Sequence, residues 1–233
     1  MAAAQFAVVL ATSVVNVALP RIQSGVGLSD GAAPWVVNAY GLAFGALLLA
    51  GGRAADLPGR RRTLLAGLTV FGAASLVAGL APSAGPLIAA RAVQGAGAAV
   101  VAPAALALVL DVFPPGPVGV WGAVSGAGAA AGVLLGGLLA QLLGWAWPFH
   151  TVALGTALVA GGVTVLVPRV PGGTPGRFDL LGTAAVTSAL TAPVWGTTAA
   201  RGTGWSAPQV LTAFALGVLS RDVGDTRAGC LNR

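Results

Sequence analysis

Long apolar runs separated by short polar turns organise this sequence. The first six runs are each about long enough to cross a bilayer as a helix, which takes about 20 apolar residues. They are Met1–Leu19, Ala33–Ala50, Thr63–Ala81, Pro86–Leu110, Trp121–Leu143 and Trp145–Val167. The pattern predicts an all-α polytopic membrane protein. We expect a six-helix bundle over 1–168, a linker and two further membrane segments over 169–220, and a polar tail over 221–233.

The last two membrane segments are weaker than the first six. One opens at Arg177 after a Pro/Gly linker and ends near Gly196. The other is opened by Gly204–Ser206 and stops at Ser220, so from Ala207 it has fourteen residues, about six short of a comfortable span. We expect such a short segment, followed by an unrelated polar tail, to mark a premature end or a shifted reading frame.

A basic turn between the second and third runs, Gly51–Arg62, orients the chain. It carries four arginines, at 53 and 60–62, and one aspartate, Asp56. Short basic loops stay on the cytoplasmic side, where anionic lipid attracts each arginine by about 1 kcal/mol. The turn therefore predicts a multi-pass protein of the cell membrane with a cytoplasmic N-terminus.

Composition agrees with a membrane protein and narrows the chemistry. Hydrophobic residues make up 56% of the chain and charged residues only 8%, with a mean hydropathy of +0.88. The net charge of +6 does not indicate nucleic-acid binding, because the arginines lie in short loops between apolar runs. Cys230 is the single cysteine, so no internal disulfide or metal set is predicted. His150 fits a packed helix residue better than a metal ligand, and no cofactor is expected.

The basic turn resembles a loop motif of the major facilitator superfamily, G-x-L-A-D-R-x-G-R-R-R between helices 2 and 3. The positions that match are Gly52, Ala55, Asp56, Gly59, Arg60, Arg61 and Arg62. Ala54 replaces the usual leucine and Leu57 the usual arginine. The resemblance implies a gating role for the loop. A generic basic turn that only obeys the positive-inside rule is the alternative interpretation.

Two further stretches resemble the fourteen-helix drug:proton antiporter branch of that superfamily. The run Ser13–Pro20 resembles its first-helix signature L-D-x-T-V-V-N-V-A-L-P, with Ala11 in place of the aspartate. The run W-V-V-N-A-Y-G-L, which begins at Trp35, is typical of its second helix. The resemblance implies that Asn16, Asn38 and Tyr40 line a substrate path.

A charged residue interrupts the fourth apolar run. Arg91 and Gln94 are three positions apart, so a helix presents both on one face. An arginine at the centre of a membrane helix costs at least about 2.5 kcal/mol, which makes it a functional-site candidate. Snorkelling of Arg91 to the outer interface is the alternative. The pattern R-x-x-Q-G resembles the superfamily's fourth-helix motif, which implies a role for both residues in proton coupling.

The fifth run carries small residues at a helical spacing. The glycines Gly128, Gly132, Gly136 and Gly137 resemble the antiporter motif G-x-x-x-G-P-x-x-G-G, with Val133 in place of its proline. Without that proline we expect no kink. Ordinary helix packing through small residues is the alternative interpretation, and close contact with a neighbouring helix is expected in either case.

The resemblance implies a transporter and not an enzyme, and no catalytic motif contradicts it. We expect proton-coupled efflux of hydrophobic drugs or other small molecules by alternating access of two halves around a central site. The resemblance covers only an N-terminal portion, so a missing C-terminal half or a homodimer would supply the other wall. A non-transporting membrane remnant or assembly partner is the alternative. The chain alone is expected not to complete the transport cycle.

Overall fold

The computed structural model describes residues 1–54, 59–112, 118–167, 185, 188–189, 191–197, 200 and 204–231. Within these residues the protein is helical and contains no strand. The first six helices are α1 Ala2–Val26, α2 Ala33–Ala54, α3 Arg60–Gly79, α4 Ala84–Val112, α5 Val118–Leu142 and α6 Trp147–Leu166. Each of them contains a stretch long and apolar enough to cross a membrane. The predicted all-α class and six-helix bundle are confirmed.

The first helix is longer than its sequence predicted. Pro20 lies inside α1, and the helix continues to Val26 instead of ending at Leu19. A proline removes one backbone donor but does not force an end where the surrounding helix is held by packing. The helix ends at Gly27, whose φ of 68° is the left-handed conformation of a glycine C-cap. The amide of Leu28 donates to the Gln23 carbonyl oxygen at 2.9 Å and completes the cap.

The C-terminal part differs from the prediction in one respect. A further helix, α7, spans Pro208–Leu231 and so runs beyond the predicted stop at Ser220. Only its first part, Pro208–Ser220, is apolar, and it is shorter than a span. The helix predicted from Arg177 lies largely outside the described residues, although 191–197 is helical. The linker over 168–177 and the turn over 113–117 lie outside them as well.

The six helices alternate in direction and pack through two kinds of helix–helix interface, which we call seams. In the parallel seams α1 packs along α5 and α2 along α4, whereas α3 packs antiparallel to both α4 and α6. One end of the bundle therefore carries the starts of α1, α3 and α5 with Arg60–Arg62, and we call it the arginine end. The other end carries Trp35, Trp145 and Trp147, and we call it the tryptophan end.

The seam between α3 and α6 contains a buried hydroxyl without a partner. Thr156 is 1% exposed, and its Oγ1 has no hydrogen-bond partner in the described part of the chain. A buried hydroxyl without a partner costs about 1–3 kcal/mol. We expect Thr156→Val, which keeps the side-chain shape, to raise the free energy of unfolding in detergent by about 1 kcal/mol.

A matched substitution on the facing helix gives the opposite expectation. The Ser75 hydroxyl is fully buried and donates to the Phe149 carbonyl oxygen at 2.9 Å. Ser75→Ala should therefore lower the melting temperature in the assay in which Thr156→Val raises it. Equal losses in the two variants would show that the Thr156 hydroxyl has a stabilising role.

Candidate functional site

Close contact between α2 and α4 builds the centre of the candidate site. A Cβ atom added at Gly95 of α4 would lie 2.3 Å from the Tyr40 carbonyl oxygen of α2. Further along the same seam, a Cβ at Gly51 would lie 2.2 Å from the Ala99 carbonyl oxygen. Only glycine permits backbones to approach so closely. The seam brings Arg91, one turn before Gly95, against α2.

The Arg91 side chain is fully buried in this seam, with 0% exposure. Its Nε donates to the Val36 carbonyl oxygen at 2.9 Å, and its Nη1 donates to Oε1 of Gln94. Its Cζ lies 4.3 Å from the centroid of the Tyr40 ring, which is a cation–π distance. The guanidinium therefore faces the bundle interior, and the snorkelling interpretation does not describe this structure.

Tyr40 links this cluster to α1. Its hydroxyl donates to the Val8 carbonyl oxygen at 3.5 Å, and Thr12 donates to the same oxygen at 3.3 Å. The ring stacks on Phe44, with centroids 6.2 Å apart and planes 4° from parallel. Arg91 thus bonds to α2 directly and is linked to α1 through Tyr40.

The other predicted substrate-lining residues lie outside the cluster. Asn16 is exposed, and its Nδ2 donates to the Thr12 carbonyl oxygen of its own helix at 2.9 Å. Asn38 is half-buried on α2. The partners that the sequence did not reveal are the backbone oxygens of Val8 and Val36. Every residue carries such an oxygen, so no sequence signal could have identified these two.

The arginine end contains most of the predicted gating loop. Gly59 caps α3 with a φ of 95°, which strongly favours glycine. The Arg60 Nη1 donates to the Ala107 carbonyl oxygen at 3.5 Å, and the Arg61 Nη2 donates to the Thr164 carbonyl oxygen at 2.8 Å. These bonds place cations near the C-terminal ends of α4 and α6, where the helix dipole favours positive charge.

The other positions of the predicted gating loop show no close contact or lie outside the described residues. Arg62 is exposed and Gly52 is half-buried. A Cβ atom added at Gly52 would lie 3.8 Å from Cβ of Pro103, which is ordinary contact. Asp56, with the rest of 55–58, lies outside the described residues.

The glycines of α5 lie against the backbone of α1. Added Cβ atoms would lie 3.0 Å from the Phe6 oxygen at Gly128, 2.9 Å from the Leu10 oxygen at Gly132 and 2.7 Å from the Val14 oxygen at Gly136. Gly137 is less constrained, with 3.6 Å to a Val17 methyl carbon. Val133, at the position of the family's proline, is 50% exposed and lies off this seam.

The chemistry of the site is that of a buried permanent cation. No group of three metal-ligating side chains occurs in the part of the chain that the structure describes. His150 packs beside Gly79, where an added Cβ would lie 2.9 Å from its Nε2, and edge-on to Trp147 with ring centroids 6.0 Å apart. Arginine keeps its proton in proteins. Arg91 can therefore attract and orient an anionic group, but it cannot itself carry a proton across the membrane.

Comparison with known proteins identifies similar chains. A sequence model of the Major Facilitator Superfamily matches residues 1–221. The puromycin resistance protein pur8 of Streptomyces alboniger is 47% identical over 222 residues, which are 93% of this chain and 44% of that protein. The cephamycin export protein CmcT of Amycolatopsis lactamdurans is 41% identical over 228 residues, which are 93% of this chain and 46% of that protein.

A solved structure shares the fold. An auto-inhibited peptide transporter of the POT family superposes with a TM-score of 0.63 at 16% identity, covering 96% of this chain and 50% of that one. At this identity the likeness concerns the fold alone. This chain thus spans about half the length of the curated and solved proteins that it matches.

Proposed function

Because the chain belongs to the Major Facilitator Superfamily, we propose that it forms part of a proton-coupled exporter of small hydrophobic compounds. As a member of this superfamily, the chain is a multi-pass membrane protein of a transporter family. Its relatives include drug-resistance and export proteins. The proton and the hydrophobic substrate are our proposal. So is a location in the bacterial inner membrane.

The observation that carries this proposal is the buried Arg91 cluster. A charged side chain inside a spanning helix is expensive and marks a functional path by default. Arg91 is held by a backbone oxygen of α2 and by Gln94, so its position is fixed before any substrate arrives. Arg91 and Gln94 would take part in proton coupling by stabilising a negative charge. Tyr40, Asn16 and Asn38 would contribute polar groups to the substrate path.

The loop and glycine positions would serve the movement of the bundle. Gly52, Asp56, Gly59 and Arg60–Arg62 would act as a gate at the arginine end. The α5 glycines Gly128, Gly132, Gly136 and Gly137 would let α5 and α1 move as one packed pair.

The bundle would supply one wall of the transport site. In carriers built from two repeats, the substrate lies between halves that rock against each other. This chain spans 44% of the puromycin resistance protein, so the second wall would come from a further six-helix unit or a second copy of the chain. A non-transporting assembly partner is the second candidate, favoured by the same partial span.

Complementation with a relative tests transport. We expect the chain alone, in liposomes with an imposed pH gradient, to move no puromycin. Co-reconstitution with the part of the pur8 protein that this chain does not span should give proton-dependent puromycin export. Export by the chain alone would indicate a working homodimer instead. Absence of export in both preparations would favour the non-transporting partner.

Thiol labelling tests the proposed orientation. Arg62 at the arginine end and Ser29 at the opposite end are both exposed. In a Cys230→Ser background, Ser29→Cys should react with an impermeant thiol reagent in intact cells. Arg62→Cys should react only after permeabilisation, because short arginine-rich loops stay in the cytoplasm. Labelling of Arg62→Cys in intact cells would reverse the topology.

A further inference from the structure

One nitrogen of the Arg91 guanidinium has no partner in the part of the chain that the structure describes. Nε and Nη1 are bonded to Val36 and Gln94, but Nη2 is buried and has no hydrogen-bond partner among the described residues. A buried charged donor is normally bonded, and each exception needs a physical explanation. Here the exception occurs on a side chain with 0% exposure.

Among the described side chains, the charge of Arg91 has no countercharge either. The sequence contains six acidic residues, and among described side chains the only carboxylate is Asp30. It is exposed beyond the end of α1 and accepts a hydrogen bond from Gln23 at 2.8 Å. Asp111 is on the same helix as Arg91, but 20 residues along a helix is about 30 Å. Asp56 and Asp179 lie outside the described residues. The neighbours of Arg91 in the described bundle are thus neutral: a carbonyl oxygen, an amide and an aromatic ring.

We propose that the free Nη2 of Arg91 is an anion site and that its ligand is a carboxylate on the transported compound. An arginine N–H bonded to a carboxylate forms a charge-assisted hydrogen bond, about twice as strong as a neutral one. Such a ligand supplies both the missing acceptor and the missing negative charge. The neutral Gln94 amide and the Tyr40 ring hold the guanidinium in place without neutralising it. The statement that the carboxylate belongs to a transported compound rests on the proposed transport function. The statement that Nη2 binds an anion does not.

The seam beside α1 offers a route to the buried nitrogen. α1 packs mainly along α5 and has much less contact with α2. Tyr40, which covers Arg91, reaches α1 through a bond of 3.5 Å to the Val8 oxygen, at the long limit for a hydrogen bond, and through the side chain of Thr12. A movement of the α1–α5 pair away from α2 would break the links of Tyr40 to Val8 and Thr12 and loosen the contacts of α1 with α4 and α6. The same movement would open the cluster to a small ligand.

Binding of a small aromatic acid to the purified full-length chain tests the site. We expect sodium benzoate to raise the melting temperature in detergent saturably at constant ionic strength. Benzamide, the neutral isostere, should have no such effect. Arg91→Gln should lose the benzoate effect, with apparent affinity at least about tenfold weaker, since it removes the charge. The control Arg21→Gln, which removes an exposed arginine on α1, should respond like the parent.

A second variant keeps the test decisive if Arg91→Gln does not fold. Gln94→Leu leaves Arg91 in place and frees Nη1 beside Nη2, so a carboxylate can bind both nitrogens. We expect about tenfold tighter benzoate binding, because bidentate pairs are stronger. A purely structural arginine would show no gain. Unchanged or weaker binding in Gln94→Leu, or a benzoate effect that survives in Arg91→Gln, would overturn the proposal.

Two further arms separate the possible ligand sources and functions. Sodium chloride at the same concentrations tests for an inorganic anion, and stabilisation by chloride without benzoate would refute the carboxylate assignment. Benzoate binding in a preparation that exports neither puromycin nor benzoate, even with the complementing pur8 part, would retain the anion site and reject the transport function. Export without benzoate binding would retain the transport function and reject the anion site.

Discussion

Gly95→Ala is expected, together with Gly51→Ala, to be among the most destabilising single-methyl changes in the described bundle seams. The new Cβ would lie 2.3 Å from the Tyr40 carbonyl oxygen and 3.0 Å from the Tyr40 Cα. Both are backbone atoms, so a side-chain rotation cannot relieve the clash and α2 must move away from α4. Overpacking of this kind costs about 1–3 kcal/mol. The displacement would also stretch the bond from Arg91 to the Val36 oxygen, which adds to the loss.

A second glycine on the facing helix provides the control. A Cβ atom added at Gly41 of α2 would meet no other atom within 4 Å. Gly41→Ala should therefore leave stability unchanged or raise it by about 0.5–1 kcal/mol, the usual gain of alanine over glycine in a helix. Thermal unfolding and size-exclusion chromatography in detergent compare the two variants. Equal melting temperatures would mean that the α2–α4 seam is looser than this structure describes.

Arg91→Leu is expected to abolish proton-coupled export in the complemented system while leaving membrane insertion intact. Leucine inserts readily, but it cannot donate to the Val36 oxygen or to Gln94. The Gln94 side chain is 1% exposed, so losing its partner costs about 1–3 kcal/mol. Arg91→Lys keeps the charge without the planar fork and should retain only part of the activity.

The readouts for Arg91 are export of puromycin, detergent stability and the amount of protein in the membrane. Arg21→Gln is the matched control, since it removes an exposed arginine from α1. If Arg91→Leu equals the parent in both stability and export, the arginine has no role in the bundle interior, and the snorkelling interpretation would be the correct one.

The sequence alone predicted the six spanning helices, and the reason is physical. Within a bilayer every backbone polar group needs an internal partner, so an apolar run of span length is restricted to a helix. The same argument singled out Arg91, because an arginine exposed to lipid is costly. The glycines of α5 were recognised as contact positions from their spacing, since small residues let membrane helices approach.

Only the tertiary structure decided what those residues touch. Whether a helical residue faces a neighbour depends on the rotation and register of its helix, which packing along the whole seam sets. Asn16 and Tyr40 belong to similar family-like patterns, yet Asn16 is exposed and Tyr40 is 4% exposed beneath α1. Helix α1 ends at Val26 and not at the predicted Leu19, because the cap at Gly27 stabilises the helix more than Pro20 destabilises it. The partners of Arg91 are a backbone oxygen, an amide and a ring face, and their convergence follows from the close approach at Gly95.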